Sequence, residues 1–250
     1  MKKSNFIRIS ISVLLFYSSV FQIYAQTELI KNAEDSYKSG NYKKSINYYR
    51  TLIQKNYNSE EIFYNLANAY FKVNDLGNAV LYYEKALKYA PNDKDILRNL
   101  KLVRKIIDSP IEPVPEFKPL KYIKSVSKLL TPNEWAVLAL LSIILVLILI
   151  FLIWIRGKKI NSILLYSSLS LTILVIIFMF ISNITANDNS YAIILLEKRA
   201  FLFPSDKSEV LYELPAGEKI KIIDSLDTLY EIELLNKEKA WISTGNIERI

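Results

Sequence analysis

Two long apolar runs stand out in the second half of the chain. No charged residue occurs from Trp135 to Ile155, and none occurs from Ile160 to Ala186. Uncharged apolar runs of about 18 or more residues are long enough to cross a lipid bilayer as helices. Two buried core helices are the alternative, but a core helix is rarely apolar on every side over such a length. The pattern therefore predicts transmembrane helices over residues 132–155 and 160–184.

In the region before these runs, apolar residues recur at the spacing of an α-helix. Two successive helices each carry small and aromatic residues on one face: Phe63, Leu66, Ala67 and Tyr70 on the first, and Ala79, Tyr83 and Ala86 on the second. Pro91 ends the second helix, because proline cannot continue an α-helix. The alanines allow two antiparallel helices to approach closely, and the aromatic rings fill the space between them.

The same pattern recurs one unit earlier and fades one unit later. Shifting back by about 34 residues aligns Ser45 with Ala79 and Tyr49 with Tyr83. Shifting forward by the same length, the apolar pattern begins again. Polar residues then occupy the positions of the small and aromatic ones, as in a solvent-facing capping helix. We expect two repeats and a capping helix over residues 26–107. Since three repeats are usually needed for stability, the two are expected to rely on a partner or on dimerisation.

This unit, from Glu61 to Lys94, resembles the tetratricopeptide repeat family. The resemblance implies an all-α domain that binds rather than reacts, in which the first helix of each pair lines a concave groove. Seven residues are the candidate groove contacts, each of them otherwise an ordinary solvated residue: Glu34, Tyr37, Tyr64, Asn68, Phe71, Lys72 and Arg98. Some members clamp the C-terminal carboxylate of a peptide. Asn65 matches one clamp position, but Ile30, Glu34 and Asp95 occupy others, so this mode is not expected here.

The period changes to two after Tyr191. Five short runs are separated by Pro, Gly, Asp and Asn: AIILL, EVLYEL, EKIKIID, LYEIELL and KAWI. They predict a small five-stranded all-β barrel over residues 190–250. The order resembles a bacterial SH3 domain, with the turn 214–218 and the sequence 240–242 as its hallmarks. Ala240 stands where that family has glycine, and residues 199–205 replace the motif of its wall-binding members. Peptidoglycan binding is therefore less favoured, and Trp241 fits a core position as well as a ligand platform.

A proline-rich linker and an amphipathic segment join the repeats to the first apolar run. Residues 108–120 hold four prolines, which favours a stiff extended chain of about 30–40 Å. In residues 121–130, Lys121, Lys124 and Lys128 share one helical face. The opposite face is apolar and consists of Tyr122, Ile123, Val126, Leu129 and Leu130. Such a helix lies along a membrane surface or packs on the repeat domain, and the sequence favours neither.

The N-terminus has the parts of a secretory signal peptide over residues 1–25. Lys2, Lys3 and Arg8 form its charged start, an apolar centre follows, and Ala25 is the expected cleavage point. An uncleaved signal would remain as a third membrane helix with the same sidedness. The basic loop 156–159 then lies in the cytoplasm, where short loops collect Lys and Arg. We expect an inner-membrane protein whose repeat and β-domains are both extracytoplasmic, in the periplasm.

The amino-acid composition excludes several kinds of catalytic and metal-binding site. The chain has no cysteine and no histidine, which excludes thiolate nucleophiles, zinc–thiolate sites and Ser-His-Asp triads built within it. The net charge is +7, but residues 188–250 carry 8 basic and 12 acidic residues. The excess cations are spread over the N-terminal half, which favours solvated lysines over a nucleic-acid surface. We predict no catalytic, cofactor-binding or metal-binding residues, and a protein that is not an enzyme.

The order of these parts resembles the Bacteroides aerotolerance (Bat) family. The resemblance covers the whole chain in architecture, and it implies three kinds of partner: membrane proteins with von Willebrand A-type domains, other Bat components and a MoxR-type ATPase in the cytoplasm. Two functions remain open. One is a scaffold that holds a partner protein in the repeat groove. The other is a cell-wall binder or sensor that acts through the β-domain. This second function is less favoured, because the β-domain is acidic and lacks the motif of the wall-binding SH3 domains.

Overall fold

The fold is that of a computed structural model, which describes residues 26–112, 114–115, 117–156, 162–205 and 207–250. The predicted signal peptide, and Gly157, Lys158 and Lys159 of the predicted cytoplasmic loop, lie outside the described residues. The chain forms an all-α N-terminal part, two long apolar helices and a C-terminal antiparallel β-domain. This is the layout that the sequence predicts.

Within the described residues, the N-terminal part has five helices: α1 (26–38), α2 (Tyr42–Gln54), α3 (Glu60–Lys72), α4 (Leu76–Tyr89) and α5 (Lys94–Ile106). Each helix from α2 onward begins at a residue whose side-chain oxygen accepts a hydrogen bond from a backbone N–H of the first turn: Asn41, Ser59, Asp75 and Asp93. These caps satisfy amide groups that have no partner within the helix. Polar capping residues therefore divide the region into helical hairpins of similar length.

Small and aromatic side chains fill the space between the helices, as the period predicts. Leu66, Ala67 and Ala79 are fully buried, and Tyr49 and Tyr83 are buried between neighbouring hairpins. Alanine at the crossing points lets the helix backbones approach, and each tyrosine ring occupies the gap beside them. The repeat core is thus built from the positions that recur along the sequence.

Ser45 is the exception in this core, because it stands where the following repeat has Ala79. Its side chain is fully buried, and among the described residues its hydroxyl has no hydrogen-bond partner. Replacing Ser45 with alanine should raise the free energy of unfolding by about 1 kcal/mol, because an unsatisfied buried hydroxyl is removed. Thermal unfolding of the detergent-solubilised protein, followed by circular dichroism, measures the gain.

Ser36→Ala is the matched control for this prediction. Ser36 is also buried, but its hydroxyl donates to the carbonyl of Asn32 at 2.7 Å. Its removal should therefore bring little or no gain. Equal gains at the two positions would show that helix propensity, and not the unpaired hydroxyl, governs the result.

Three further helices follow: α6 (Lys118–Ser127), α7 (Pro132–Arg156) and α8 (Ser162–Ala186). Helices α7 and α8 are long and apolar enough to cross a membrane and leave most of their apolar side chains exposed. They pack against each other where the start of α7 meets the end of α8, and Trp135 stacks on Phe178 there at a ring distance of 5.5 Å. Helix α7 begins with a reciprocal cap, in which Thr131 and Glu134 each accept a hydrogen bond from the other's backbone N–H.

The β-domain is a seven-stranded antiparallel sheet: β1 (Tyr191–Ile194), β2 (Lys198–Phe201), β3 (Val210–Leu214), β4 (Lys219–Leu226), β5 (Leu229–Glu233), β6 (Lys239–Ser243) and β7 (Ile247–Arg249). The strand order is β3-β2-β6-β5-β4-β1-β7. The predicted count of five strands is wrong, because the pattern missed β2 and β7. These strands have only 4 and 3 residues, too few for an alternation to be visible.

The β-domain is not a separate module, because β1 packs directly on α4. Ile193 and Ile250 are buried in the same apolar cluster as the repeat core, and Tyr191 and Leu195 pack against it. Gly77 of α4 allows a close approach of the two backbones: a Cβ atom there would lie 2.6 Å from the carbonyl oxygen of Leu195. The β-domain thus covers part of the repeat surface from within the same chain.

Ile111 and Val114, between α5 and α6, both contact the β-domain. Ile111 is buried in the β-domain core, and the backbone N–H of Val114 donates to the carbonyl of Leu235 at 3.2 Å. Helix α6 also begins earlier than predicted, at Lys118, with Pro119 in its first turn. Proline is well tolerated there because that N–H has no helical partner.

Candidate functional site

A depression of about 300 Å³ opens on one face of the repeats. We call it the repeat groove and define it by its eight lining residues: Tyr37, Tyr64, Asn68, Phe71, Lys72, Tyr83, Asn99 and Leu102. All eight belong to helices α1, α3, α4 and α5. The β-domain packs on a different face of α4, so the groove stays open.

Helix α3 provides half of the lining because its four groove residues recur on one side. Tyr64, Asn68, Phe71 and Lys72 are spaced by four, three and one residues, which places them on a single helical face. Helix α1 contributes Tyr37 on one flank, and α5 contributes Asn99 and Leu102 on the other. The first helix of each hairpin therefore forms the wall, and Tyr83 of α4 forms the floor.

A hydrogen-bonded network joins the floor to both walls. The Tyr83 hydroxyl donates to Oδ1 of Asn68 at 2.5 Å. Nδ2 of Asn99 donates to the hydroxyl of Tyr64 at 3.0 Å and to Oδ1 of Asn68 at 3.2 Å. Burial, followed by the nearby Tyr64, raises the pKa of Tyr83, so its hydroxyl keeps its proton and remains a donor. The network fixes the orientation of both amides.

The pairing of tyrosine with asparagine occurs twice, once in each repeat. Tyr49 and Asn65 are the first pair of positions, and Tyr83 and Asn99 stand one repeat length later at the same spacing. In each pair the tyrosine is on the second helix of a hairpin and the asparagine is on the helix that follows. The tyrosine and asparagine positions therefore recur with the repeat.

Five of the seven predicted contact residues line the repeat groove: Tyr37, Tyr64, Asn68, Phe71 and Lys72. The other two lie outside the lining. Glu34 pairs with Lys38 at 3.4 Å, and Arg98 pairs with Asp95 at 2.9 Å, each within its own helix. Whether any of the seven contacts a partner remains a prediction.

Three of the lining residues were not predicted from the sequence, although the repeat period indicates two of them. Leu102 lies one repeat length after Asn68, and Asn99 lies one repeat length after Asn65, so the period leads to both. Tyr83 was assigned to packing alone. It is fully buried, yet its hydroxyl reaches the groove network, a double role that spacing does not reveal.

A second polar cluster lies at the contact between the repeats and the β-domain. The carboxylate of Glu84 on α4 accepts hydrogen bonds from Lys219 of β4, at 2.8 Å, and from Arg104 of α5. Burial raises the pKa of Glu84, but the two cations outweigh this effect and hold the pKa below its usual range. The nearby Glu218 is also buried, and burial raises its pKa, although Ser109 and Arg104 act against the rise. This cluster joins the repeats to the β-domain and lies apart from the repeat groove.

Residues 60–93 match the tetratricopeptide repeat family. No curated protein matches the chain at a significant level. The matched residues cover α3, α4 and the turn after them, which are the helices that form one wall and the floor of the repeat groove. The chain therefore contains a tetratricopeptide repeat, a module that typically binds other proteins and carries no catalytic residues of its own.

Proposed function

We propose that the protein is a non-enzymatic membrane-anchored scaffold whose repeat groove binds a partner protein. The observation that carries this proposal is the groove, an open depression lined by aromatic rings and two oriented amides within a repeat of a protein-binding family. Its volume suits a few side chains of a peptide segment and is too small for a folded domain.

The chemistry of the lining supports a peptide as the occupant. Tyr37, Tyr64 and Phe71 are partly buried, so each presents a rigid ring that a ligand side chain can desolvate at low entropic cost. The network occupies Oδ1 of Asn68 and Nδ2 of Asn99. The remaining amide atoms, a donor on Asn68 and an acceptor on Asn99, match the carbonyl and N–H of a peptide backbone.

Replacing Tyr64 and Phe71 with alanine should weaken partner binding at least about tenfold, because aromatic anchors dominate the binding energy of such interfaces. The variant should keep its helical content, since the fully buried residues of the repeat core are unchanged. Proteins that co-purify with the full-length chain from detergent are quantified for both forms by mass spectrometry, and the affinity is then measured on the partner so identified.

Tyr89→Ala is the matched control for the groove variant. Tyr89 belongs to the same repeat and is 48% exposed, but it packs on Phe63 and does not line the groove. It should leave binding unchanged. An equal loss at Tyr89, or no loss in the double variant, would contradict groove binding.

The proposed setting is the inner membrane of a bacterium, with α7 and α8 as spans and the repeats and β-domain on the periplasmic side. The length of the two helices, the signal-like N-terminus and the basic loop at 156–159 support this topology. Since the chain has no cysteine, single cysteines at Lys43, Lys207 and Lys158 report on it directly. A membrane-impermeant maleimide applied to spheroplasts should label the first two and reach position 158 only after the membrane is opened.

Labelling of position 158 in intact spheroplasts would overturn this topology. A difference between Lys43 and Lys207 would separate the repeats from the β-domain across the membrane, which the packing of β1 on α4 does not allow. Both positions are exposed on the surface of their domains, so poor access is not expected to limit either reaction.

Within this setting, the order of parts resembles BatE of the Bacteroides aerotolerance family. We infer that the groove partner is another component of a Bat-type stress complex, and that a membrane protein with a von Willebrand A-type domain is the first candidate. The use of β1 for packing on α4 supports a structural role for the β-domain. Recovery of such a protein with the wild-type chain, and its absence with the groove variant, is the expected result of the co-purification.

A further inference from the structure

Helix α6 presents apolar side chains that nothing in the described part of the chain covers. Phe117, Tyr122 and Leu129 are 75%, 70% and 62% exposed, and Ile123 is 42% exposed. Tyr122 and Ile123 are neighbours on α6, and Phe117 and Leu129 flank the helix at its two ends. Residues so exposed are not packed on the repeat domain, which was one of the two positions that the sequence allowed for this helix.

The position of α6 is fixed by contacts at its C-terminal end. The indole N–H of Trp135 donates to the carbonyl of Ser127 at 2.9 Å, and the hydroxyl of Ser182 donates to the carbonyl of Leu130 at 3.4 Å. Leu130 also packs into the apolar cluster around Trp135. Helix α6 therefore lies where α7 begins and α8 ends, at one end of the two long apolar helices.

Lys128, the residue that follows α6, lies close to the repeats. The charge of Lys128 is close enough to Glu84 to help lower the pKa of that carboxyl group. The side-chain amide of Asn92, in the turn between α4 and α5, donates to the carbonyl of Lys128. The C-terminal end of α6 thus lies between the repeats and the ends of α7 and α8, and the apolar side chains of the helix are exposed.

We propose that α6 lies in the interface of the lipid bilayer, with Tyr122, Ile123 and Leu129 immersed, and that it holds the turn between α4 and α5 at the membrane surface. A lipid surface is the occupant that fits, because the apolar face is continuous with the end of two helices of membrane-spanning length. Amphipathic helices bury such a face about 5–10 Å deep, at the boundary of headgroups and acyl chains. The proposal rests on α7 and α8 being spans.

Fluorescence quenching by brominated lipids tests the immersion in the full-length protein. Single cysteines at Tyr122, Leu129 and Lys121 are labelled with bimane, and the protein is reconstituted in phosphatidylethanolamine–phosphatidylglycerol vesicles. Lipids brominated near the headgroup end of the acyl chain should quench labels 122 and 129 several-fold more than label 121, which lies on the opposite face. A cysteine at Leu145, in the middle of α7, should be quenched by lipids brominated deep in the chain.

The outcomes separate the two claims. Quenching of label 145 without quenching of labels 122 and 129 would overturn the position of α6 and leave the spans intact. No quenching of label 145 would overturn the spans, and the proposal with them. If label 122 is shielded from aqueous iodide but is not quenched by lipid, a second copy of the chain covers this face, and the lipid assignment is wrong.

Energy transfer to headgroup-labelled lipid tests the second half of the proposal. Lys94 lies beside the turn between α4 and α5, and Lys43 lies at the opposite end of the helical hairpins; both are exposed. The ends of α4, a helix of 14 residues, are about 20 Å apart. A dye on a cysteine at position 94 should transfer energy clearly more efficiently than one at position 43, and equal transfer would show that α6 does not hold this turn at the membrane.

Discussion

Replacing Glu84 with glutamine should lower the free energy of unfolding by about 2–3 kcal/mol. The neutral amide would leave Lys219 and Arg104 facing each other at the contact between the β-domain and the repeats. Removing one partner of a fully buried ion pair costs about 3–5 kcal/mol. The effect here is expected to be smaller, because the side chains of Lys219 and Arg104 are 25% and 46% exposed. Thermal unfolding of the detergent-solubilised protein measures the loss.

Glu213→Gln is the control for this substitution. Glu213 pairs with Arg199 at 4.0 Å, and both side chains are about two-thirds exposed. Exposed pairs of this kind contribute little, so the change should stay within about 0.5 kcal/mol. A similar loss in both variants would mean that burial of the Glu84 cluster does not contribute to the stability of the fold.

Acid should act on Glu84 in the same direction as the substitution. The folded-state pKa of Glu84 lies below the ordinary value of 4.5. Such a carboxyl group contributes stability that is present above the ordinary value and is lost as pH falls through the folded value. Glu218, whose pKa is raised, acts in the opposite sense. Below pH 4.5 the wild-type protein should therefore lose more stability than Glu84→Gln, which shares every other titrating group.

Gly77→Ala should lower the free energy of unfolding by about 2 kcal/mol, although alanine is the better helix former. Helix propensity alone predicts a gain of about 1 kcal/mol. However, the new Cβ would lie 2.6 Å from the carbonyl oxygen of Leu195 and 3.0 Å from its Cα. These are backbone atoms at the end of β1, a strand paired on both sides with β4 and β7. Since β1 cannot move alone, overpacking of about 1–3 kcal/mol or more outweighs the propensity.

Gly245→Ala provides the same substitution in open space. No atom lies within 4 Å of the Cβ that would be added there, so stability should be nearly unchanged. Limited proteolysis provides a second readout, because the segment between α5 and α6 should be cut faster in Gly77→Ala once β1 separates from α4. A gain in stability at Gly77 would show that the β-domain is not held close to the repeats.

The repeats and much of their groove are readable from the sequence because both follow local spacing. Recurrence of Tyr49 and Tyr83, with alanines at the crossing points, determines which faces pack. Once those faces are known, Tyr64, Asn68 and Phe71 must lie on the wall of the groove. The period also leads to Leu102, although Arg98 was the only residue of α5 predicted to contact the groove.

The contact between the repeats and the β-domain could not be predicted in this way, because it joins residues far apart in the chain. Glu84 and Lys219 form an ion pair only after both domains have folded, and neither stands in a recurring pattern. Ile111 appeared to be part of a proline-rich spacer, yet it is buried in the β-domain core. Local patterns indicate elements and their faces, but which faces meet across domains depends on shape and charge complementarity.

Photo-crosslinking in cells tests most directly the claim that a partner protein binds in the repeat groove. The photoreactive amino acid p-benzoylphenylalanine is placed in the full-length chain at Leu102 or Tyr89, which are equally exposed at 48% and differ in that only Leu102 lines the groove. A third variant carries it at Phe203, which is 62% exposed on the β-domain. We predict a crosslinked partner protein at Leu102 and none at Tyr89 or Phe203. An adduct at Phe203 without one at Leu102 would contradict the groove assignment and move the interaction to the β-domain.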